Sequence, residues 1–131
     1  MMLLEFEVPI QTVSEANRRD HWATRAKRAR RQRMSAWQCT IYAAHRWGVV
    51  LDICRAVRAT VTLTRFSSRR LDDDNMRAAM KAVRDGIADA LHVDDGSDDV
   101  IWRYAQGAGK RRGTYVTIEY AATAHARVRN G

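Results

Sequence analysis

The chain has 131 residues, of which 46% are hydrophobic, and its formal net charge is +8. This length and apolar content suit one domain with a packed core. No apolar run reaches the ~20 residues of a membrane span, and Glu5 and Glu7 interrupt the apolar stretch that a signal peptide needs. Cys39 and Cys54 lack metal-type spacing, so we expect two buried free thiols in a cytoplasmic protein.

Hydrophobic patterns predict six elements in the order β-α-β-α-β-β. In chain order they cover residues 3–10, about 20–47, 55–66, roughly 73–91, 100–106 and 114–121. Pro9 and Gly48 are typical of the ends of the first strand and the first helix, and the glycines of 107–113 favour a hairpin between the last two strands. We therefore expect an α+β (mixed α/β) domain over residues 1–122, with helices covering a small mixed sheet, and a fraying tail over 123–131.

Both predicted helices have an apolar stripe at a spacing near 3.6 residues. The stripe of the first helix consists of Trp22, Ala26, Ala29, Trp37, Ile41 and Ala44, and that of the second consists of Met76, Met80, Val83, Ile87 and Leu91. We expect the tryptophans, Trp47 and Trp102 included, to pack in the core, while stacking on unpaired bases is the alternative. Gly86 lies inside the second helix and lowers its intrinsic stability.

The charge is strongly polarised along the chain. Residues 72–99 contain nine acidic and three basic residues, a net charge of −6, whereas the rest of the chain carries twenty bases and six acids, a net charge of +14. The basic part, including the face of the first helix, suits a polyanion partner, and a merely solvated basic surface is the alternative. The basic run 110–112 is either a phosphate clamp or a solvated turn.

The acidic residues form a pattern that can hold a divalent cation. Asp74, Lys81 and Asp85 fall on one exposed face of the second helix, and Asp72 precedes its first turn. Residues 94–99, "DDGSDD", follow the same helix, and a loop could return their carboxylates to the start of it. Two or three converging carboxylates suffice for Mg²⁺, and in this hypothesis Asp73 caps the helix. The structural alternative is that the acids near the helix start only cap it and that "DDGSDD" is a polar turn or a calcium-type loop.

The stretch "LDDDN", residues 71–75, followed by a lysine and an aspartate on the helix and then "VDD", resembles the RusA family of Holliday junction resolvases, small endonucleases of phages and prophages. The resemblance implies a homodimer in the host cytoplasm that uses Mg²⁺, with Mn²⁺ able to substitute, to resolve four-way DNA junctions by paired symmetric nicks in recombination and repair. It also implies that Asp72, Asp74 and Asp95 hold the metal and act in catalysis together with Lys81.

Two positions depart from the family pattern. The pattern has a lysine four residues after the second aspartate, whereas this position is Ala78 and the nearest lysine is Lys81, about one helical turn further on. The acidic loop contains the additional residues "GSDD", so the third ligand can be one of several carboxylates. These are Asp94, Asp95, Asp98 and Asp99.

The early segment with Asn17 and its basic continuation also resembles the family's N-terminal region, so the resemblance covers most of the chain. The residues expected to bind DNA lie on both sides of the acidic motif. They are Asn17, Arg18, Arg19, Arg25, Lys27, Arg28, Arg69, Arg70 and Asn75. His92, three residues before Asp95, is a weaker candidate for a general base. We expect no membrane partner and no organic cofactor.

Two other functions fit the same residues. One is a non-catalytic, basic nucleic-acid-binding protein in which the acidic residues only cap a helix. The other is a related nuclease that acts on a different branched DNA or on RNA.

Overall fold

The predicted order β-α-β-α-β-β is confirmed in a computed structural model, which describes residues 2–10, 12, 21–49, 58–94, 98–108 and 112–120. The elements are β1 (Met2–Val8), α1 (Trp22–Trp47), β2 (Ala59–Ser67), α2 (Asp73–Leu91), β3 (Val100–Ala108) and β4 (Gly113–Tyr120). Together they form a small α+β domain with a mixed sheet. The predicted tail lies outside the described residues, and within them no helix has both the length and the apolar character needed to cross a bilayer.

The four strands form one sheet in the order β1-β4-β2-β3. β4 is antiparallel to both of its neighbours, whereas β3 is parallel to β2, with Val100 opposite Ala59 and Ala108 opposite Ser67. A parallel pair requires a crossover connection, and α2 is that connection. The start of α2 therefore lies near the end of β2, and the end of α2 lies near the start of β3.

The predicted hairpin between the last two strands is wrong, because β2 lies between β3 and β4. Turn residues predict that the chain reverses, but they do not determine which strand becomes the neighbour. A fully extended connection from Ala108 to Gly113 reaches about 17 Å. This is more than the roughly 10 Å between two strands that have a third strand between them. β4 thus enters the interior of the sheet, where Val116 and Ile118 are buried.

The core lies between the helices and one face of the sheet. Alternate residues of β2, among them Ala59, Val61 and Leu63, are fully buried on this face. The predicted stripe of α2 is confirmed, since all five of its apolar members are buried. The bounds of α2 also match the prediction, and its amphipathic pattern therefore located the helix correctly despite Gly86.

The predicted stripe of α1 is largely wrong. The residues of α1 that are buried are instead small or polar, namely Gln32, Ala36, Thr40, Ala43 and Ala44. Trp22, Trp37 and Trp47 are instead 71%, 39% and 62% exposed, whereas Trp102 on β3 is half-buried. Small side chains allow α1 to approach α2 closely, so close helix packing decides the buried face here rather than side-chain hydrophobicity. The helix ends at Gly48 as predicted, in a left-handed conformation with φ of 66°.

Gly86 lies at a close contact between the two helices. A Cβ atom at this position would collide with the carbonyl oxygen of Arg33 and would lie 2.9 Å from the Cβ of Ala36. Real Cβ atoms do not approach other heavy atoms so closely. The absence of a side chain at Gly86 is therefore a packing requirement of the α1–α2 contact.

We expect Gly86→Ala to lower the free energy of unfolding by about 1–3 kcal/mol, the usual cost of overpacking, although alanine gains about 1 kcal/mol in helix propensity. Urea denaturation measures this change. Ala78→Gly, at an exposed position of the same helix, is the control and should cost about 1 kcal/mol through propensity alone. A Gly86→Ala protein more stable than the wild type would contradict the close contact.

Candidate active site

The segment that joins β2 to α2 is held by side chains from both neighbouring strands. Arg65 on β2 donates from Nη1 to the carbonyl of Arg69 at 2.9 Å and from Nε to Oγ1 of Thr12 at 3.0 Å. Gln106 on β3 donates from Nε2 to the carbonyl of Leu71 at 2.6 Å and accepts from its N–H at 2.9 Å. The bonds to Arg69 and Leu71 satisfy three backbone groups of the segment and fix Leu71, the residue that precedes Asp72.

Arg65 is a buried cation, only 6% exposed, whose hydrogen-bond partners are neutral oxygens. Among the described residues no carboxylate pairs with it. Burial lowers the pKa of the Arg65 guanidinium, but arginine stays protonated in proteins. Its charge adds to the positive end of the α2 dipole, so this end of the domain favours anions.

Asp72, and not Asp73 as predicted, is the N-cap of α2. Its backbone is extended, with φ of −71° and ψ of 170°, and its Oδ1 accepts a hydrogen bond from the N–H of Asn75 at 2.8 Å. An N-cap must be the last non-helical residue, and Asp73 is already helical. The cap uses one oxygen of Asp72, which leaves the other available for a different partner.

Asp73 and Asp74 occupy the first turn of α2 and are exposed. In the described part of the chain, no lysine or arginine forms an ion pair with either of them or with Asp72. Three neighbouring carboxylates thus face solvent without a cationic partner among the described residues, in a chain with an excess of positive charge.

The other acidic residues of α2 are paired. Lys81 Nζ lies 3.1 Å from Asp85 Oδ2, and Arg33 of α1 makes a two-pronged contact with Asp89 at 2.6 and 2.8 Å. The hydrogen bond from Arg33 lowers the pKa of Asp89 and outweighs the opposing effect of burial. These residues and Asp94 line an open pocket of about 280 Å³. Lys81 shares the solvent-facing side of α2 with Asp74, as predicted, but its ammonium group contacts Asp85.

The carboxylates that follow α2 do not return to its start. Asp94 lies beyond the end of the 19-residue helix, about 27 Å from the first turn at 1.5 Å per residue. Asp98 and Asp99 directly precede β3, at the end of the sheet where β2 begins. The N–H of Ala59 donates to the carbonyl of Asp99 at 2.9 Å. The expected convergence within one chain is therefore wrong for these three residues, while Asp95 lies outside the described residues.

Asp72 and Asp74 supply carboxylate oxygens, the ligand type that Mg²⁺ prefers, and this ion usually keeps several waters. Over the described ranges, no group of three or more His, Cys, Asp or Glu residues is placed to hold a metal. A third protein ligand from residues 94, 98 or 99 would have to come from a second copy of the chain.

A groove between α2 and β3 was not predicted from the sequence. It has a volume of about 450 Å³ and is lined by Asp73 and three arginines, Arg70, Arg77 and Arg103. Arg77 and Arg103 were not assigned a role, although Arg70, Arg77 and Arg84 recur every seven residues, a spacing that keeps Arg77 and Arg84 on one side of α2. Gln106 and Arg65 were also missed, because no local pattern identifies a side chain that holds a distant backbone.

The remaining predicted residues are dispersed. Arg69, Arg25 and Lys27 are exposed, and Arg28 and Asn75 are partly buried. Predicted residues outside the described part of the chain are Asn17, Arg18, Arg19, Cys54, Lys110 and Arg111. Cys39 is a half-buried free thiol whose pKa is raised by burial, against the smaller effect of a hydrogen bond with Ser35. His92 caps the end of α2 in a left-handed conformation with φ of 57°.

We expect Arg33→Gln to lower the free energy of unfolding by less than about 1 kcal/mol at neutral pH, because the pair with Asp89 is about half exposed. Folding lowers the pKa of Asp89, so the pair stabilises the protein above the ordinary carboxyl range near pH ~4, and this stabilisation disappears as the pH falls through the folded-state pKa. Urea denaturation at neutral and at acidic pH tests this, with Arg30→Gln on the exposed side of α1 as control. A difference that persists in acid would contradict the assignment.

No protein-family model matches this chain, and no curated protein matches it. The resemblance to the RusA resolvases therefore stays a prediction from the sequence motif.

Proposed function

We propose that this protein is a Mg²⁺-dependent endodeoxyribonuclease that acts as a homodimer and resolves four-way DNA junctions by paired nicks. The observation that carries the proposal is the contrast between two sets of acids on α2. Asp85 and Asp89 have cationic partners within the chain, whereas the exposed carboxylates of residues 72–74 have none among the described residues. An acidic cluster without an internal partner in a basic protein suits an external cation.

Asp72 and Asp74 would hold the ion. When bound, Mg²⁺ supplies Lewis-acid polarisation of a phosphoryl oxygen and lowers the pKa of a coordinated water. Arg69 and Arg70, directly before the motif, would bind phosphates and orient the DNA backbone against the carboxylates. Lys81 is about 10 Å along the helix from Asp74, and its contact with Asp85 must break before it can reach a phosphate there.

The homodimer is supported by the position of the remaining acids. Since Asp94, Asp98 and Asp99 lie at the opposite end of α2 from Asp72, a third carboxylate from this loop can join the first two only across a subunit contact. In a symmetric dimer the same contact forms twice and gives two equivalent sites. Two sites related by a twofold axis suit paired, symmetric nicks in a four-way junction.

A non-catalytic nucleic-acid-binding protein is the second candidate. It is favoured by one observation, the hydrogen bond from Asn75 to Asp72, because a cap alone explains why an acid stands at this position. The two candidates differ in what they require of Asp72. A cap needs only a side-chain oxygen, which asparagine also supplies, whereas a site with two carboxylates loses half of its negative charge when one becomes an amide.

We expect Asp72→Asn and Asp74→Asn each to reduce nicking of a synthetic four-way junction in Mg²⁺ by about 100-fold or more, the scale of losing a charge-stabilising group at a reacting centre. Their free energies of unfolding should stay within about 0.5 kcal/mol of the wild type, because asparagine preserves the cap and Asp74 is exposed. Gel assays of nicking and urea denaturation measure the two effects.

Glu5→Gln, an exposed carboxylate-to-amide change on β1, is the matched control and should nick at the wild-type rate. Full activity in Asp72→Asn, or binding without nicking by the wild type under any divalent ion, would favour the second candidate. Forked and duplex DNA and structured RNA, tested in the same assay, identify a nuclease with a different substrate.

The shared site predicts complementation between two inactive variants. One is Asp74→Asn, and the other has asparagine at all four acidic positions of the loop, namely Asp94, Asp95, Asp98 and Asp99. When the two chains are co-expressed, mixed dimers contain one site with all its carboxylates, so about a quarter of the wild-type activity should return. If the mixture stays as inactive as each variant alone, the loop does not act across the dimer.

A further inference from the structure

The groove between β3 and the first half of α2 has a chemistry of its own. Among the described strands β3 pairs only with β2, and its residues 102–106, Arg103 among them, line the groove together with Arg70 and Arg77. All three arginines are exposed, and none forms a hydrogen bond or an ion pair with another described residue. Asp73 is the one acid among the described residues that line the groove, and these residues carry a net charge of +2.

The contrast with Arg33 is informative. That arginine has its own carboxylate, Asp89, at 2.6 Å, and it therefore has a structural role between the helices. The arginines of the groove have no such partner within the described residues, and their planar guanidinium groups suit phosphate oxygens. The groove is therefore built for an anion that comes from outside the chain.

The aromatic residues of β3 indicate which part of a nucleic acid fits. The guanidinium of Arg84 lies 4.8 Å from the ring centre of Trp102, and that of Arg77 lies 6.0 Å from the ring centre of Tyr104. Arg84 also donates to the hydroxyl of Tyr104 at 3.0 Å. Because an arginine already lies over one face of each ring, that face is not free as a platform for stacked bases. The groove suits sugar–phosphate backbone and not base recognition.

We propose that this groove binds the backbone of one DNA strand next to the phosphate that is cut. Arg70, Arg77 and Arg103 contact successive phosphates, and Arg84 positions the two rings beneath them. The inference rests on the proposed function, since Asp73 and Arg70 line the groove and adjoin Asp72 and Asp74. The DNA strand then follows β3, and its binding there does not depend on the base sequence.

The experiment measures binding without cleavage. Fluorescence anisotropy gives the affinity for a labelled four-way junction in EDTA over about 50–200 mM salt, for two unrelated DNA sequences. Arg103→Gln and Arg77→Gln should each weaken binding about tenfold, equally for both sequences, and should reduce the slope of log K against log salt by about one. Arg103→Lys, which keeps the charge, should retain the wild-type slope.

Arg58→Gln is the matched control, because Arg58 is exposed at the opposite end of β2 and its loss changes the net charge equally. Slopes and affinities of Arg103→Gln and Arg77→Gln equal to those of the control would overturn the groove assignment alone. A wild type that fails to bind DNA would also overturn it. So would a polyglutamate peptide that binds the wild type but not Arg103→Gln and does not displace DNA, because the groove would then bind an acidic peptide and not DNA. A wild type that binds DNA in EDTA but does not nick it in the presence of any divalent ion would defeat the endonuclease proposal and leave the groove assignment supported.

Discussion

The backbone of the short segment between β2 and α2 makes its key hydrogen bonds to side chains of two different strands. Arg65 holds the carbonyl of Arg69, and Gln106 makes a two-way contact with Leu71. Because both strands belong to one sheet, the position of Asp72 follows the position of the sheet. The orientation of α2, the solvent-facing carboxylates of its first turn and the groove beside β3 all depend on this attachment.

Local patterns predicted what local physics determines. The period of the apolar residues in α2, the left-handed glycine that ends α1 and the alternation in β2 were all visible in the sequence. The buried face of α1 was not, because it depends on how closely Ala36 can approach Gly86 on another helix. The partner of β4 was also hidden, since pairing between distant strands leaves no periodic trace in either of them.

For the candidate site, the sequence correctly placed the three acids at the start of α2 but assigned the cap to the wrong one. The sequence shows three acids in a row, and only the backbone angles distinguish the capping residue from its neighbours. The return of the loop after α2 was misjudged for a geometric reason. A helix that crosses from one end of the strands to the other separates the residues before it from the residues after it. Asp74 and Asp94, 20 residues apart in sequence, therefore lie at opposite ends of the helix.

The place of β4 in the sheet has a consequence for how the protein is made. β1 has one partner in the described sheet, and that partner is the last strand of the described chain. A ribosome must therefore synthesise more than a hundred residues before the first strand can pair, and only the late insertion of β4 joins it to the β2–β3 pair. Contacts of such long sequence separation slow folding, and an incomplete chain that ends before β4 lacks the interior strand of its sheet.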